Sequence, residues 1–399
     1  MTKLRIGLDL RAQENGFKAH YGRGTGRYVS ELVRELFAIQ AGKEELPYEF
    51  VPASTESLGA GKLERRLYKL APLGRNTLEQ QILLPRRIAK QGVNLFHFFS
   101  HVDAPSRCAV PYLVTVLDLI PLKFPELYSA NKTNLRFKFA RYLELQAVRQ
   151  ARGIIAISEA TKSDLVELLN INPQKIAVTP LAVGASFIAR NISASRDVFE
   201  AEICQARREV GLDASRPVLL YVGGIDARKN VTFMLDAFAH LLRSTDSASR
   251  PQLLMIGRYV GDDNYPKLLS QIHHLNLNDD VQLRGFVDEE TLIKLYHAST
   301  LVLFPSLYEG FGLPVLEAMA CGVPVIAFRN SSIPEVVGDN SILVEKPDKL
   351  EWNTKIIEIM ASIDRQIELS QLGVRRARHF SWSKTASMTI EAYDYFLKK

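Results

Sequence analysis

Between Leu301 and Ala327 the chain can be threaded in few ways. Leu301-Val-Leu-Phe304 is a short apolar run that Pro305-Ser306 interrupts; Glu309-Gly-Phe-Gly312 follows, then Leu313 to Cys321, then Gly322 and a second apolar run ending at Ala327. The parse is buried strand, loop, helix, strand. Pro314 suits the first turn of that helix and Gly322 its C-terminal cap. The helix therefore opens directly out of Gly310-Phe311-Gly312, where backbone N–H groups and the positive dipole end favour an anion. Glu309 and Glu317 bracket this place eight residues apart. Anion donors flanked by two carboxylates suit a sugar joined to phosphate.

The same alternation recurs along the chain. Leu4 to Leu10 reads as a strand, Gly22, Gly24 and Gly26 as a glycine loop, and Val29, Leu32, Val33 and Leu36 as one face of a helix starting near Tyr28. That loop faces a ligand or is a flexible turn; its spacing is not the G-x-G-x-x-G of a dinucleotide site. Strands at 94–99 and 112–117 deliver His97, His101 and Asp118 at their ends, where open parallel sheets bind ligands. A helix over 134–151, a strand over 153–157, a helix over 159–169 capped by Ser158, and a strand over 175–180 complete a doubly wound domain. From Ser186 to Ser215 the pattern loosens into a linker with helical character over 198–210. A second series then runs through a strand at 217–222, a helix at 231–242, strands at 252–256 and 281–283, and a helix at 289–297 capped by Asp288. The tail, 381–397, is an amphipathic helix. At 399 residues the chain exceeds a single core, which rarely grows past about 250–300 residues. The expected division is 1–190, 191–380 and 381–399.

Composition narrows the function. No apolar run approaches the roughly 20 residues that span a bilayer, and Met1 to Asp9 enters a strand with no apolar signal region before it. Cys108, Cys204 and Cys321 have neither metal nor disulfide spacing, so a cytoplasmic chain with no metal is expected. The net charge is +6, with basic residues clustered in the N-terminal half. Lys62, Arg65, Arg66 and Lys69 share a helical segment with leucines; Arg75, Arg86, Arg87 and Lys90 follow; Arg136, Lys138 and Arg141 alternate with Phe137, Phe139 and Tyr142. Two readings stand: contact with anionic lipid or a lipid-linked diphosphate at the inner membrane face, or a solvated helix face. No nucleic-acid motif accompanies the charge.

The strand ends of the C-terminal half offer Gly223-Gly224, Arg228-Lys229, Gly257-Arg258, Gly285-Phe286 and the Glu309 to Glu317 segment. Arg228 and Lys229 precede a helix whose dipole they oppose, which points to a ligand charge such as a diphosphate, neutralised here without a metal. Glu317 lies among Pro314, Val315, Leu316, Ala318, Met319 and Ala320, where a carboxylate needs a partner; a hydroxyl-rich ligand would supply one.

Glu309-Gly-Phe-Gly-Leu-Pro-Val-Leu-Glu317 resembles the Glu-x7-Glu motif of the retaining glycosyltransferases of family 4, which have the GT-B fold of two Rossmann-like, doubly wound parallel-sheet domains facing a cleft. Tyr221-Val-Gly-Gly224 with Arg228-Lys229-Asn230, Ile154 to Thr161, and Val114 to Pro121 also resemble that family, so the likeness covers nearly the whole chain. It implies a nucleotide-diphosphate sugar as donor substrate, no cofactor, and a glycan or lipid-linked acceptor at the N-terminal domain. By position, Lys229 with Arg228 would hold the diphosphate. Glu309 and the Phe311-Gly312-Leu313 backbone would hold the donor sugar and phosphate, and Glu317 the ribose. Gly285-Phe286-Val287 would contact the base, with Gly224, Gly257 and Arg258 nearby. The Gly22–Gly26 loop would close over the phosphates through Gly24 and Gly26, and the final helix would return to the N-terminal domain. The implied reaction moves a hexose or deoxyhexose of mannose, rhamnose or glucose type in cell-surface polysaccharide assembly, with the departing phosphate as base. A non-catalytic nucleotide-sugar-binding subunit or a GT-B epimerase is the alternative. Two positions depart from the family. Gly224 stands where many members have Arg, and Leu117-Asp118 where many have His-Asp. The second leaves three readings open: Asp118 or His101 substitutes, the donor is a deoxysugar, or activity is reduced.

Overall fold

A computed structural model describes residues 3–14, 24–42, 46–58, 79–126, 135–192, 195–246, 250–338 and 342–398. The chain forms two compact units, Met1–Leu181 with Ser381–Lys399, and Ala182–Phe380.

The first unit is built on six parallel strands: β1 (Leu4–Asp9), β2 (Tyr48–Ala53), β3 (Leu95–Phe98), β4 (Tyr112–Val116), β5 (Gly153–Ala156) and β6 (Ile176–Val178), in the order β2-β1-β3-β4-β5-β6. Its helices are α1 (Gly24–Gly42), α2 (Leu84–Ala89), α3 (Ile120–Lys123), α4 (Leu135–Gln150) and α5 (Glu159–Leu169). The second unit has α6 (Arg196–Glu209), then β7 (Val218–Val222), α7 (Val231–Arg243), β8 (Gln252–Ile256), α8 (Tyr265–His274), β9 (Val281–Arg284), α9 (Glu289–His297), β10 (Leu301–Phe304), α10 (Leu313–Ala320), β11 (Val325–Phe328), α11 (Ile333–Val337), β12 (Ile342–Val344), α12 (Lys349–Met360) and α13 (Ile363–Ala377). Its strand order, β12-β11-β10-β7-β8-β9, is again all parallel. The last helix, α14 (Trp382–Lys398), belongs to the first unit.

Every residue of β3, β4, β5, β8, β10 and β11 is buried. Parallel sheets covered on both faces demand this, and it is why these strands read as continuous apolar runs rather than alternations. Phe96, Phe98, Val114, Val116, Ile154 and Leu165 are among the residues of the first core; Leu219, Tyr221, Met255, Leu303, Phe328 and Trp352 are among those of the second.

Two details differ from the sequence reading and a third agrees with it. β2 has no clear apolar signature because it is an edge strand, where Glu49 and Pro52 are tolerated. The helix expected from Tyr28 begins at Gly24, so Gly24 and Gly26 lie in its first turn rather than in a loop. The helix read over 198–210 within the loose segment after Ser186 is present as α6, beginning two residues earlier, with Phe199 and Ile203 buried. Lys62, Arg65, Arg66, Lys69, Arg75 and Gly22 lie outside the described residues.

α14 is fitted to the first unit by specific contacts. Gly153 opens β5 because a Cβ there would stand 2.5 Å from the Phe396 ring. Arg152 Nε donates to the Phe396 carbonyl at 2.5 Å and Thr385 Oγ1 to the Pro180 carbonyl at 2.7 Å. Tyr393 reaches the buried His97 of β3 at 2.7 Å.

Candidate active site

In the second sheet the chain runs outward from β7 to β8 and β9, then returns to lay β10 on the other side of β7. Strand order reverses there, and the loops leaving β7 and β10 at their carboxyl ends diverge, opening the crevice where open α/β sheets hold ligands. Those loops carry Arg228-Lys229 and Glu309.

Asn230, left-handed at φ 53°, turns the chain from the short helical turn Ala227–Lys229 into α7 and leaves both basic side chains on the crevice side. Lys229 Nζ lies 2.6 Å from Glu309 Oε1, and Arg228 Nη1 lies 2.8 Å from Glu309 Oε2 and 2.9 Å from the Tyr308 carbonyl. The Leu307 N–H closes the contact by donating to the Arg228 carbonyl at 2.8 Å. Each carboxylate oxygen thus faces its own cation, and all three side chains are largely buried. Burial alone would raise the Glu309 pKa; Lys229 and Arg228 outweigh it and hold the carboxyl below its ordinary value. Asp226, about half exposed, lies 3.4 Å from Arg228 Nε and offsets the second cation only weakly.

Gly312 starts α10 at φ 103°, a conformation that disfavours side chains, and a Cβ there would meet Ile333 at 2.7 Å. Glu317 lies just over one turn into this helix and is buried. A carboxylate in these surroundings was expected to need a partner, and the protein supplies one: Tyr296 Oη of α9 donates to Glu317 Oε2 at 3.0 Å. A buried tyrosine on a neighbouring helix leaves no spacing signal in the sequence.

The remaining predicted residues of this unit take distinct places. Gly257 allows the loops after β8 and β7 to touch, since a Cβ there would stand 2.0 Å from the Gly223 carbonyl. Gly224 accepts through its carbonyl the hydroxyl of Tyr221, a fully buried phenol. Arg258 stacks over Phe286, 4.5 Å from the ring centroid, and Phe286 is 61% exposed. The loops after β8 and β9 therefore meet at a solvent-facing guanidinium–aromatic pair, with Gly285 exposed and Val287 half-buried beside it.

Gly24, Gly26, His101 and Asp118 lie in the first unit. His101 is buried in the turn after β3, and Asp118 Oδ1 accepts the Ile120 N–H at 3.1 Å, fixing the start of α3. His97 and His101 are four residues apart, but on a strand and the turn after it rather than on one helical face. Among the described residues, no group of three or more His, Cys, Asp or Glu is arranged to hold a metal ion. Sequence reasoning missed a buried pair at the strand-order reversal of this sheet. Arg11 holds Asp9 with two bonds, of 2.7 and 2.8 Å, beside the ends of β1 and β3. It also missed the Asn330–Ser332 turn, which bonds to the backbone of Ser306, Glu309 and Phe311.

The family model described as Glycosyltransferase Family 4 matches residues 22–186, and the one described as Glycosyl transferases group 1 matches 203–373. The chain belongs to glycosyltransferase family 4. This glycosyltransferase is 28% identical over 389 residues to the O-antigen chain mannosyltransferase B of Escherichia coli, a match covering 93% of this chain and 95% of that protein. It is 30% identical over 306 residues to the D-inositol 3-phosphate glycosyltransferase of Thermobispora bispora, covering 74% of this chain and 68% of that one. In structure it resembles the sucrose-phosphate synthase of Thermosynechococcus elongatus, with TM-score 0.72 and 21% identity over 98% of both chains. Two units, each a six-stranded parallel sheet with flanking helices, are the GT-B architecture of such glycosyltransferases.

Proposed function

We propose that this glycosyltransferase moves a hexose or deoxyhexose, mannose being the first to test, from a nucleotide-diphosphate sugar to a glycan or lipid-linked acceptor of the cell surface, with retention and without a metal. The observation that supports it most is the seating of Glu309 between Lys229 and Arg228 at the start of α10. A diphosphate entering there exchanges for part of the carboxylate on both cations. Glu309 is thereby released to accept hydroxyl groups of the donor sugar, and the Phe311-Gly312-Leu313 backbone lies against sugar and phosphate. Arg258 and Phe286 lie on the side where the base would stack, and Glu317, held by Tyr296, would take the ribose. Leaving-group charge develops between Lys229, Arg228 and the helix N-terminus, and fixed positive groups stabilise it there with no reorganisation. The departing phosphate takes the acceptor proton. Asp118 and His101 are the candidates to replace the histidine that Leu117 lacks. The near full-length likeness to an O-antigen mannosyltransferase supports mannose and a polysaccharide acceptor.

A thermal-shift screen of nucleotide sugars, followed by transfer to glycan and lipid extracts with the anomeric configuration read by NMR, tests the reading. A midpoint raised by one donor, and its sugar transferred with retention, is expected. No binding to any nucleotide sugar overturns it, and binding without turnover replaces it with a non-catalytic subunit.

Contact with anionic lipid is the second part of the proposal. On α4 Phe139 and Tyr142 are 56% and 55% exposed and Lys138 is exposed beside them. Arg141 and Arg87 are paired with Glu144 and Glu79, so neither offers its full charge. Among the described residues, no helix is long and apolar enough to cross a membrane. Co-sedimentation with vesicles should rise with their anionic lipid content and fall for Phe139→Ser with Tyr142→Ser; equal binding to neutral vesicles removes this part.

A further inference from the structure

The donor roles above leave out the turn between β11 and α11, although that turn grips the Glu309 loop along its length. Ser331 is a non-glycine residue in left-handed backbone, φ 44°, a conformation that costs free energy and persists only where something holds it. Its Oγ accepts the Glu309 N–H at 2.9 Å and donates to Asn330 Oδ1 at 3.2 Å. Asn330 Nδ2 in turn donates to the Ser306 carbonyl at 3.0 Å.

Ser332 is equally diverted from its ordinary use. It occupies the N-cap position of α11, where a serine hydroxyl usually accepts a helix N–H, but it makes no such bond. The fully buried hydroxyl instead faces the Phe311 carbonyl at 2.8 Å and the Glu309 carbonyl at 3.1 Å. Next to it, Ile333 fills the space a side chain at Gly312 would need. Residues 330–333 therefore hold Ser306, Glu309, Phe311 and Gly312 at once. Within that turn, Ser332 forgoes the capping bond its position normally makes, and Ser331 holds left-handed backbone.

We propose that Ser331 and Ser332 are positioning residues for the donor loop: they fix the backbone of Glu309 and Phe311 so that the Glu309 carboxylate meets Lys229 and Arg228 before donor arrives. The link to transfer rests on the donor reading above; the grip itself does not.

Ser331→Gly separates positioning from stability. Glycine adopts the left-handed backbone at no steric cost, so relief of strain offsets the lost hydroxyl and the midpoint of unfolding should stay close to that of the wild type. Hydrogen exchange over residues 305–313 of the ligand-free protein should speed up roughly tenfold, the value of one hydrogen bond. The kcat of donor turnover should fall by roughly as much, with nucleoside-diphosphate affinity little changed. Ser332→Ala should speed exchange in the same peptide, and Ser331→Asn, which tolerates the backbone and restores an acceptor, should recover part of both effects. Unchanged exchange in Ser331→Gly overturns the grip. Faster exchange with unchanged kcat overturns the positioning role. If the wild-type protein acts on no nucleotide sugar, the donor reading fails and the exchange measurement alone decides the grip.

Discussion

Glu309 answers two cations, so removing its charge has consequences of opposite sign for binding and for transfer. In Glu309→Gln, Lys229 and Arg228 lose their carboxylate and stand ready for a diphosphate. Nucleoside-diphosphate affinity measured by calorimetry should hold or tighten, while transfer falls at least 100-fold, on the order of one lost charged contact at the reacting sugar. Loss of the carboxylate takes from Lys229 its 2.6 Å ion pair and leaves Arg228 with the weaker Asp226 contact, which should destabilise the ligand-free protein by about 3 kcal/mol. Added nucleotide should narrow the gap in unfolding midpoint between variant and wild type. A fall in nucleotide affinity, or near-normal transfer, contradicts the exchange of carboxylate for phosphate. The pH dependence has a defined sign. Because the folded-state pKa of Glu309 is depressed, its stabilising contribution is present above the ordinary carboxylate value and is lost as pH falls through the folded value. Glu309→Gln should flatten that acid limb. The residues of this cluster were legible because each follows a strand end and breaks a local rule, a cation at a helix start or a carboxylate beside a glycine loop. The partners Tyr296 and Ser331 break no rule visible in one dimension, and only the fold brings them to Glu317 and Glu309.

At the level of elements, α14, β3, β4 and α1 are joined by one buried relay. His97 Nδ1 lies 2.7 Å from Tyr393 Oη, His97 Nε2 lies 2.9 Å from Thr115 Oγ1, and Thr115 Oγ1 lies 3.0 Å from Tyr28 Oη. A neutral imidazole donates from one nitrogen and accepts at the other, which suits a line of hydroxyls with no charged member. Burial pushes the His97 pKa down to about 3. The unfolded chain, with an ordinary histidine, binds the proton first, so stability is full above the unfolded value near 6.5 and declines as pH drops toward the folded one. Between pH 6.5 and 5 the loss attributable to His97 is about 2 kcal/mol. Denaturant titrations of wild type and His97→Gln should differ in slope over that window; equal slopes exclude His97 as the source. Tyr393→Phe strands one imidazole nitrogen and should cost about 1–3 kcal/mol. Elements themselves were readable where burial is uniform, as in β4 and β10. They were obscure where tertiary context overrides local pattern: Pro52 in the edge strand β2 and the glycines inside α1.

On the scale of the molecule, the first unit is completed by the last residues of the chain. Its sheet comes from residues before Leu181, yet Trp382, Ala386, Ala392, Tyr393 and Phe396 are buried. Gly153 is shaped for the Phe396 ring, and Tyr28 packs 6.2 Å from Trp382. Burying each large side chain contributes about 1.5–3 kcal/mol, so Trp382, Tyr393 and Phe396 together approach the whole stability of a domain, about 5–15 kcal/mol. Ending the chain at Phe380 should therefore unfold the first unit selectively. The second unit keeps its sheet, its Trp352 core and the Glu309–Lys229–Arg228 cluster, all supplied by Ala182–Phe380. Hydrogen exchange of the truncated chain should lose protection in β1, β3, β4 and β5 and retain it from β7 to β12. Nucleoside-diphosphate binding should survive and transfer should vanish. Protection retained in both units would show that α14 adds little to the first fold. Loss in both would show that the second unit cannot stand without the first, and the donor site would then require the whole chain.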